Sequence, residues 1–259
     1  MGKVVFQCED STDGIFTGIY DAWDSRVGHR NVKLEAGREY DMELFSEYRR
    51  VETDGVKAGK VAATIRRKLK ADVYEQIYNA TLSREKDKAE HIYRTVVMGL
   101  YMPDGENIMQ NLSNYSVRRV FECSRRAGHE AHQFTGFLRF SELKNKVLFA
   151  QIEPENKVLP LIGDHFSDRF PLEDFLIYDK THQMFLAHAA NRPWMLISGE
   201  VPDKEMINDI SENELRYRKL WKVFHRTIGI EERKNARLQQ QLLPLRYRKD
   251  MTEWDDKEA

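Results

Sequence analysis

The stretch that decides the fold reads His132-Gln133-Phe134-Thr135-Gly136-Phe137-Leu138-Arg139-Phe140, then Val147-Leu148-Phe149-Ala150-Gln151-Ile152-Glu153-Pro154, then Asp164-His165-Phe166-Ser167-Asp168-Arg169-Phe170-Pro171 and Phe175-Leu176-Ile177-Tyr178-Asp179. Two compact apolar runs, Phe134 to Phe140 and Val147 to Ile152, flank Lys144 and Asn145 and predict a hairpin, while Phe175 to Tyr178 predicts a third strand. In the first run Phe134, Gly136, Leu138 and Phe140 share one face, and Thr135, Phe137, Arg139 and Ser141 share the other. Gly136 inside a strand marks a bulge or a close approach of another chain or ligand. Met184 to His188 and Trp194 to Ile197 follow after short turns, the pattern of an antiparallel meander. The expected class is therefore α+β: a mainly antiparallel central sheet covered by several helices, with a helical C-terminal segment.

Working outward, composition bounds the problem. The chain has 259 residues, 41 Lys and Arg against 42 Asp and Glu, and a formal net charge of -1. Such a balance gives no global attraction to nucleic acid, so any polyanion contact rests on a local patch. The length supports a sizeable core, read here as one α+β domain over 1–249 followed by an acidic tail over 250–259. Within it, 1–56 starts strand-helix-strand-strand, 57–130 is helical, 131–198 holds the sheet and 199–249 carries basic helices. No apolar run reaches the roughly 20 residues of a membrane span, and no signal-peptide pattern opens the chain, so a cytoplasmic protein with no membrane partner is expected. Cys8 and Cys123 stand alone in sequence, which argues against a disulfide framework and a cysteine-bound cluster. No metal and no cofactor are expected.

Upstream, Val4 to Cys8 reads as a strand. Ser11, Thr12 and Asp13 offer caps for a helix carrying Ile15, Phe16, Ile19, Tyr20 and Trp23 at helical spacing. That stripe suits a core, although the polar tips of Tyr20 and Trp23 also suit the border of a pocket. Val32 to Glu35 and Leu44 to Val51 are the next candidate strands, and the chain is helical from Lys57 to about Met102. A helix over Asn111 to Gly128 separates Val117, Val120, Phe121 and Ser124 from Arg118, Arg119, Arg125 and Arg126. Four clustered arginines repel one another unless anions sit among them, either carboxylates of the same chain or phosphates. On the sheet, Phe137 beside Arg139 suits either base stacking with a phosphate contact or a second packing surface.

Pro160 suits the first turn of a helix through Arg169. There His165 and Asp168 lie at helical spacing, which suits a carboxylate-oriented general base or an ordinary helix-surface contact. His132 and Glu153 are the remaining members of a candidate catalytic cluster, with Arg139 or Arg169 as the anion holder. In the C-terminal third, Tyr217, Leu220, Trp221, Phe224 and Ile228 form an apolar stripe opposite Arg218, Lys219, Lys222 and Arg226. Arg233, Lys234, Arg237, Arg246, Arg248 and Lys249 continue the charge. Aromatic and basic residues interleave here as on nucleic-acid surfaces, while most of the aromatics also fit a core period.

Asp13-Gly14-Ile15-Phe16 with Tyr20-Asp21-Ala22-Trp23, His132 through Phe140, Ile152-Glu153-Pro154, His165-Phe166, Arg169-Phe170-Pro171, Leu220-Trp221, Asn235, Pro244 and Arg246-Tyr247 together resemble an uncharacterised bacterial family associated with DNA metabolism and DNA repair. The resemblance covers nearly the whole chain, with Arg248 standing where the family pattern carries tryptophan. It implies a setting beside a radical-SAM DNA-repair protein or a uracil-DNA-glycosylase-like module. The leading expectation is a DNA-repair accessory that binds nucleic acid, DNA in preference to RNA, through Arg118, Arg119, Arg125, Arg126, Arg139, Arg169, Arg218, Lys222 and Arg226. The alternatives are a hydrolase acting on a nucleotide, damaged base or phosphodiester, and a docking partner that binds no nucleic acid.

Overall fold

The computed structural model describes residues 2–37, 43–199, 207 and 209–254, with the backbone alone at Arg226. The chain folds as two compact units, Met1–His129 and Glu130–Ala259.

The first unit opens with β1 (Val4–Cys8) and α1 (Thr12–Asp24), followed by β2 (Val32–Ala36) and β3 (Glu47–Arg50). Helix α1 starts where the Ser11 hydroxyl accepts the Gly14 N–H at 3.0 Å. This is the N-cap bond that serine at this position favours. Returning through a helix makes the next strand parallel. β1 pairs in parallel with both β2 and β3, giving a three-stranded sheet in the order β2-β1-β3. Ile15, Phe16 and Ile19 of α1 pack in one core with Val4, Phe6, Val32 and Leu34 of the sheet. Helices α2 (Gly55–Leu69), α3 (Ala71–Thr81) and α4 (Lys88–Tyr101) complete this core with Ile65, Ile77 and Ile92, all fully buried. The break between α2 and α3 falls at Lys70, whose φ of 77° leaves the helical region.

Helix α5 spans Tyr115–Phe137, so the expected strand from Phe134 to Phe140 is instead the end of a helix. Its apolar positions explain why. Ala127, Ala131, Phe134 and Leu138 are buried and follow one another at spacings of four, three and four, the period of a helix face. The period-two alternation was a coincidence of the same residues, and Gly136 lies in the helix, with no strand bulge. Only Ser141–Glu142, here β4, is extended before the turn into β5 (Leu148–Ile152).

The rest of the second unit is α6 (Leu159–Arg169), β6 (Phe175–Asp179), β7 (Met184–His188) and β8 (Met195–Ser198), then α7 (Glu212–Thr227), α8 (Ala236–Leu242) and α9 (Leu245–Arg248). Its sheet has the order β4-β5-β6-β7-β8. β5 and β6 are parallel, and the other pairings are antiparallel. The expectation of a mainly antiparallel central sheet is thus overturned: among the described residues there is one parallel sheet and one mixed sheet. The cause in the second unit is α6, a crossover between β5 and β6 that no hairpin can replace. Phe134, Leu138, Ile152, Ile162, Phe166 and Phe175 form its core. At Gly163 a Cβ would come within 2.5 Å of the Trp194 ring, so only glycine lets that indole lie against α6.

Residues 250–254 of the C-terminal tail are described, and they are packed: Met251 is 3% exposed. Residues 255–259 lie outside the described residues.

Candidate nucleic-acid interface

Helix α7 is capped by Ser211, whose hydroxyl accepts the Glu214 N–H at 3.1 Å. Glu212 and Glu214 in the first turn suit the positive end of the helix. The apolar stripe that predicts a core-facing helix is exposed instead: Tyr217, Leu220, Trp221, Phe224 and Ile228 all lie at the surface. The Trp221 and Phe224 rings are 5.7 Å apart. Arg216 and Lys219 on α7, and Arg233 and Arg237 beyond it, are exposed as well. None of these four cations has an ion-pair partner among the described residues. The side chain of Arg226 lies outside the described residues.

Two further arginines converge at the base of this segment. Arg139 and Arg218 line one cavity of about 240 Å³ with Ser141, Gln151, Lys249 and Thr252. Arg218 donates to Glu214 at 2.8 Å and to the Ser141 hydroxyl at 2.5 Å. Arg139 donates to the Gly136 carbonyl at the end of α5 and, at 2.9 Å, to the Glu253 carboxylate. Burial raises the Glu253 carboxyl, but the Arg139 bond and charge, with the Trp221 indole N–H, hold it below its usual value. Beside the cavity, Glu153 accepts from Lys249 and Lys180, each at 2.9 Å, and these two bonds lower its carboxyl. The cavity is therefore polar and hydrogen-bond rich, with its cations already held by carboxylates.

In the first unit the four α5 arginines divide. Arg119 is bound to Asp87 and Glu85 at 2.9 Å and to Glu122 at 3.0 Å. Arg126 pairs with Glu85 at 2.6 Å. The expected anions are thus carboxylates of the same chain for these two. Arg118 lies 5.5 Å from the Tyr115 ring, and both it and Arg125 are exposed without an ion pair among the described residues. Arg169 is exposed beside the Phe170 ring. Lys222 is half-buried on α7.

The candidate catalytic residues are not joined. His132, Glu153, His165 and Asp168 are all exposed. Glu153 is engaged by lysines, His165 touches the Phe166 ring, and no hydrogen bond links any two of the four among the described residues. Phe137 is half-buried, 5.3 Å from the Tyr247 ring. Tyr20 and Trp23 do line a cavity, in the first unit.

Sequence reasoning passed over Glu130, which is 3% exposed and accepts hydrogen bonds from the backbone N–H groups of Glu155 and Asn156 and from the Asn156 side chain. A carboxylate in the apolar period between Ala127, Ala131 and Phe134 was the available signal. It also passed over Lys88, whose side chain is 2% exposed and lies 2.6 Å from Asp10. No described helix is long and apolar enough to cross a membrane.

Among curated proteins nothing matches the chain. A solved structure described as the DHH domain of a member of a family of ribosomal proteins is similar over 73% of this chain and 74% of its own. Its identity is 11% and its TM-score 0.35, a likeness that carries no argument about fold or function. A family model, the domain of unknown function DUF4130, matches residues 86–253, most of the chain. The chain belongs to the DUF4130 family.

Proposed function

We propose that this protein is a nucleic-acid-binding accessory of DNA metabolism, and that α7 with the segment after it holds a single strand. One observation carries the reading: the α7 aromatics are exposed among exposed cations. Surfaces that take single strands without sequence preference combine these two elements, rings that stack on bases and cations that follow the phosphates. Tyr217, Trp221 and Phe224 would supply the rings, and Arg216, Lys219, Arg233 and Arg237 the charge. Arg139 and Arg218, each held by a carboxylate of the same chain, would anchor the helix and leave phosphate binding to the other cations. Preference for DNA, and a radical-SAM or glycosylase-like partner, rest on the family resemblance. Anisotropy of a short labelled single strand tests this. Wild type binds at low salt, and a variant with Arg216, Lys219, Arg233 and Arg237 changed to Glu does not. Equal binding by the two proteins, or no binding by wild type, removes the reading.

A second reading is favoured by the aliphatic part of the same surface. Leu215, Val223, Ile230, Leu238 and Leu242 are also exposed, and aliphatic side chains contribute to protein contacts more than to base stacking. A protein partner docked there would be retained at high salt and lost on changing Leu238 and Leu242 to Asp.

A further inference from the structure

The first unit carries a cavity of about 380 Å³, with Tyr20, Trp23, Asp24, Lys60 and Thr64 around its rim. That volume falls at the lower end of the range of roughly 300–1,000 Å³ for small-molecule sites. Its floor is made by buried aliphatic side chains, Ile19, Ile65 and Val96. Its aromatic edge is fixed in place: Trp23 stacks on Tyr101 at 6.1 Å with the planes 13° apart, and meets the His29 ring at 4.6 Å.

The rim carries two opposite charges that are not joined. Lys60 Nζ lies 5.5 Å from the centre of the Tyr20 ring, and it has no ion-pair partner among the described residues. Neighbouring Lys57 differs, since its ammonium is taken by Asp21 at 2.7 Å. Asp24, at the end of α1, likewise has no ion-pair partner among the described residues. An acid and a base on the rim of one apolar cavity, neither in an ion pair among the described residues, are complementary to a molecule that brings both charges itself.

We propose that this cavity is a binding site for a zwitterionic α-amino acid with an aromatic side chain. Its carboxylate meets Lys60, its ammonium meets Asp24, and its ring lies on Ile19, Ile65 and Val96 against the edge of Trp23. This site is independent of the nucleic-acid surface proposed for α7, and neither stands on the other.

The test is a titration of the full chain with L-phenylalanine, followed by NMR at the Trp23 indole N–H and the Thr64 amide, with Trp23→Phe identifying the indole signal. Saturable shifts at both positions are expected. Phenethylamine lacks the carboxylate and phenylacetate lacks the ammonium. Each should bind about two- to fivefold more weakly than phenylalanine, the effect of one exposed ion pair. Lys60→Met should erase the preference over phenethylamine, and Asp24→Asn the preference over phenylacetate. Both side chains are exposed, and circular dichroism confirms that the variants remain folded. Absent shifts, equal affinity for all three compounds, or unchanged preferences in both variants would each overturn the proposal.

Discussion

The Glu130 carboxylate lies 2.8 Å from the Asn156 backbone nitrogen and 2.6 Å from its side-chain nitrogen, joining the end of helix α5 to the loop before α6. The same carboxylate accepts the Glu155 N–H at 2.9 Å, and Arg246 approaches it at 3.6 Å. Removing a buried acceptor leaves donors without partners, at about 1–3 kcal/mol for each unsatisfied group. Glu130→Ala is therefore expected to destabilise the protein by about 3 kcal/mol, and Glu130→Gln, which retains one oxygen, by less. Urea midpoints decide the point, and a wild-type midpoint for the alanine variant would refute it.

Lys88 and Asp10 form the corresponding feature in the first unit, 2.6 Å apart with the lysine side chain 2% exposed. Asp10 is 40% exposed, so the charge that would be left uncompensated in the interior is that of Lys88, and removing the Asp10 carboxylate costs at most the roughly 3 kcal/mol of a broken buried pair. Asp10→Asn should show that loss, and adding Lys88→Met should recover part of it. Additive losses in the double variant would mean that the pair is not coupled.

Acid should weaken the first unit in two stages. Burial pushes His29 and His91 below the ordinary imidazole value, with the nearby Arg94 and Arg119 cations adding to it and Asp87 and Glu90 opposing it at His91. The unfolded chain then takes up protons first, so this contribution is complete above about pH 6.5 and is lost as the pH falls below it. Asp87 follows at lower pH. Burial raises its carboxyl, but the Arg119 bond and charge outweigh that and lower it, so its contribution is complete above the unfolded carboxylate value of about 3.9 and is lost as the pH falls from there through the lowered folded value. Denaturant midpoints from pH 7 downward should decline, with a shallower first stage in a His29→Gln/His91→Gln variant. A flat profile between about pH 7 and 5, the window around the unfolded imidazole value, would contradict this.

Both cysteines are buried. Burial raises both thiols, Cys8 to about 12, and the thiolate is the reactive form. A thiol reagent at neutral pH should label neither residue in the native protein and both in denaturant. Rapid native labelling of Cys8 would show that β1 opens readily.

The strands of the second unit were legible because short apolar runs such as Phe175–Asp179 and Met184–His188 sit between turn residues. Helix α1 was legible from its cap and its stripe. The run from Phe134 to Phe140 was not, because Phe134, Phe137 and Leu138 fit a helix face while Phe134, Leu138 and Phe140 also fit a strand face. Length settles such cases, and α5 is long. Strand direction differs for another reason: short turns between strands suggest a meander, whereas the helix between Ile152 and Phe175 is a crossover that makes β5 and β6 parallel. On α7 the amphipathic period is real, yet periodicity cannot tell whether the apolar face meets a core or solvent. The candidate site suffered likewise, since the pairing of Arg119 with Glu85 and Asp87 depends on residues more than thirty positions away in sequence.

Single-strand binding by α7 stands or falls with the cations on and after it. The most direct measurement is the affinity of the full chain for a short labelled single-stranded DNA as salt is raised. Release of counterions from about four phosphates predicts a slope of log K against log salt of roughly -3. In a variant with Arg216 and Lys219 changed to Ala, loss of two contacts should halve that slope. An affinity that does not change with salt, or a slope untouched by the two substitutions, would contradict the account.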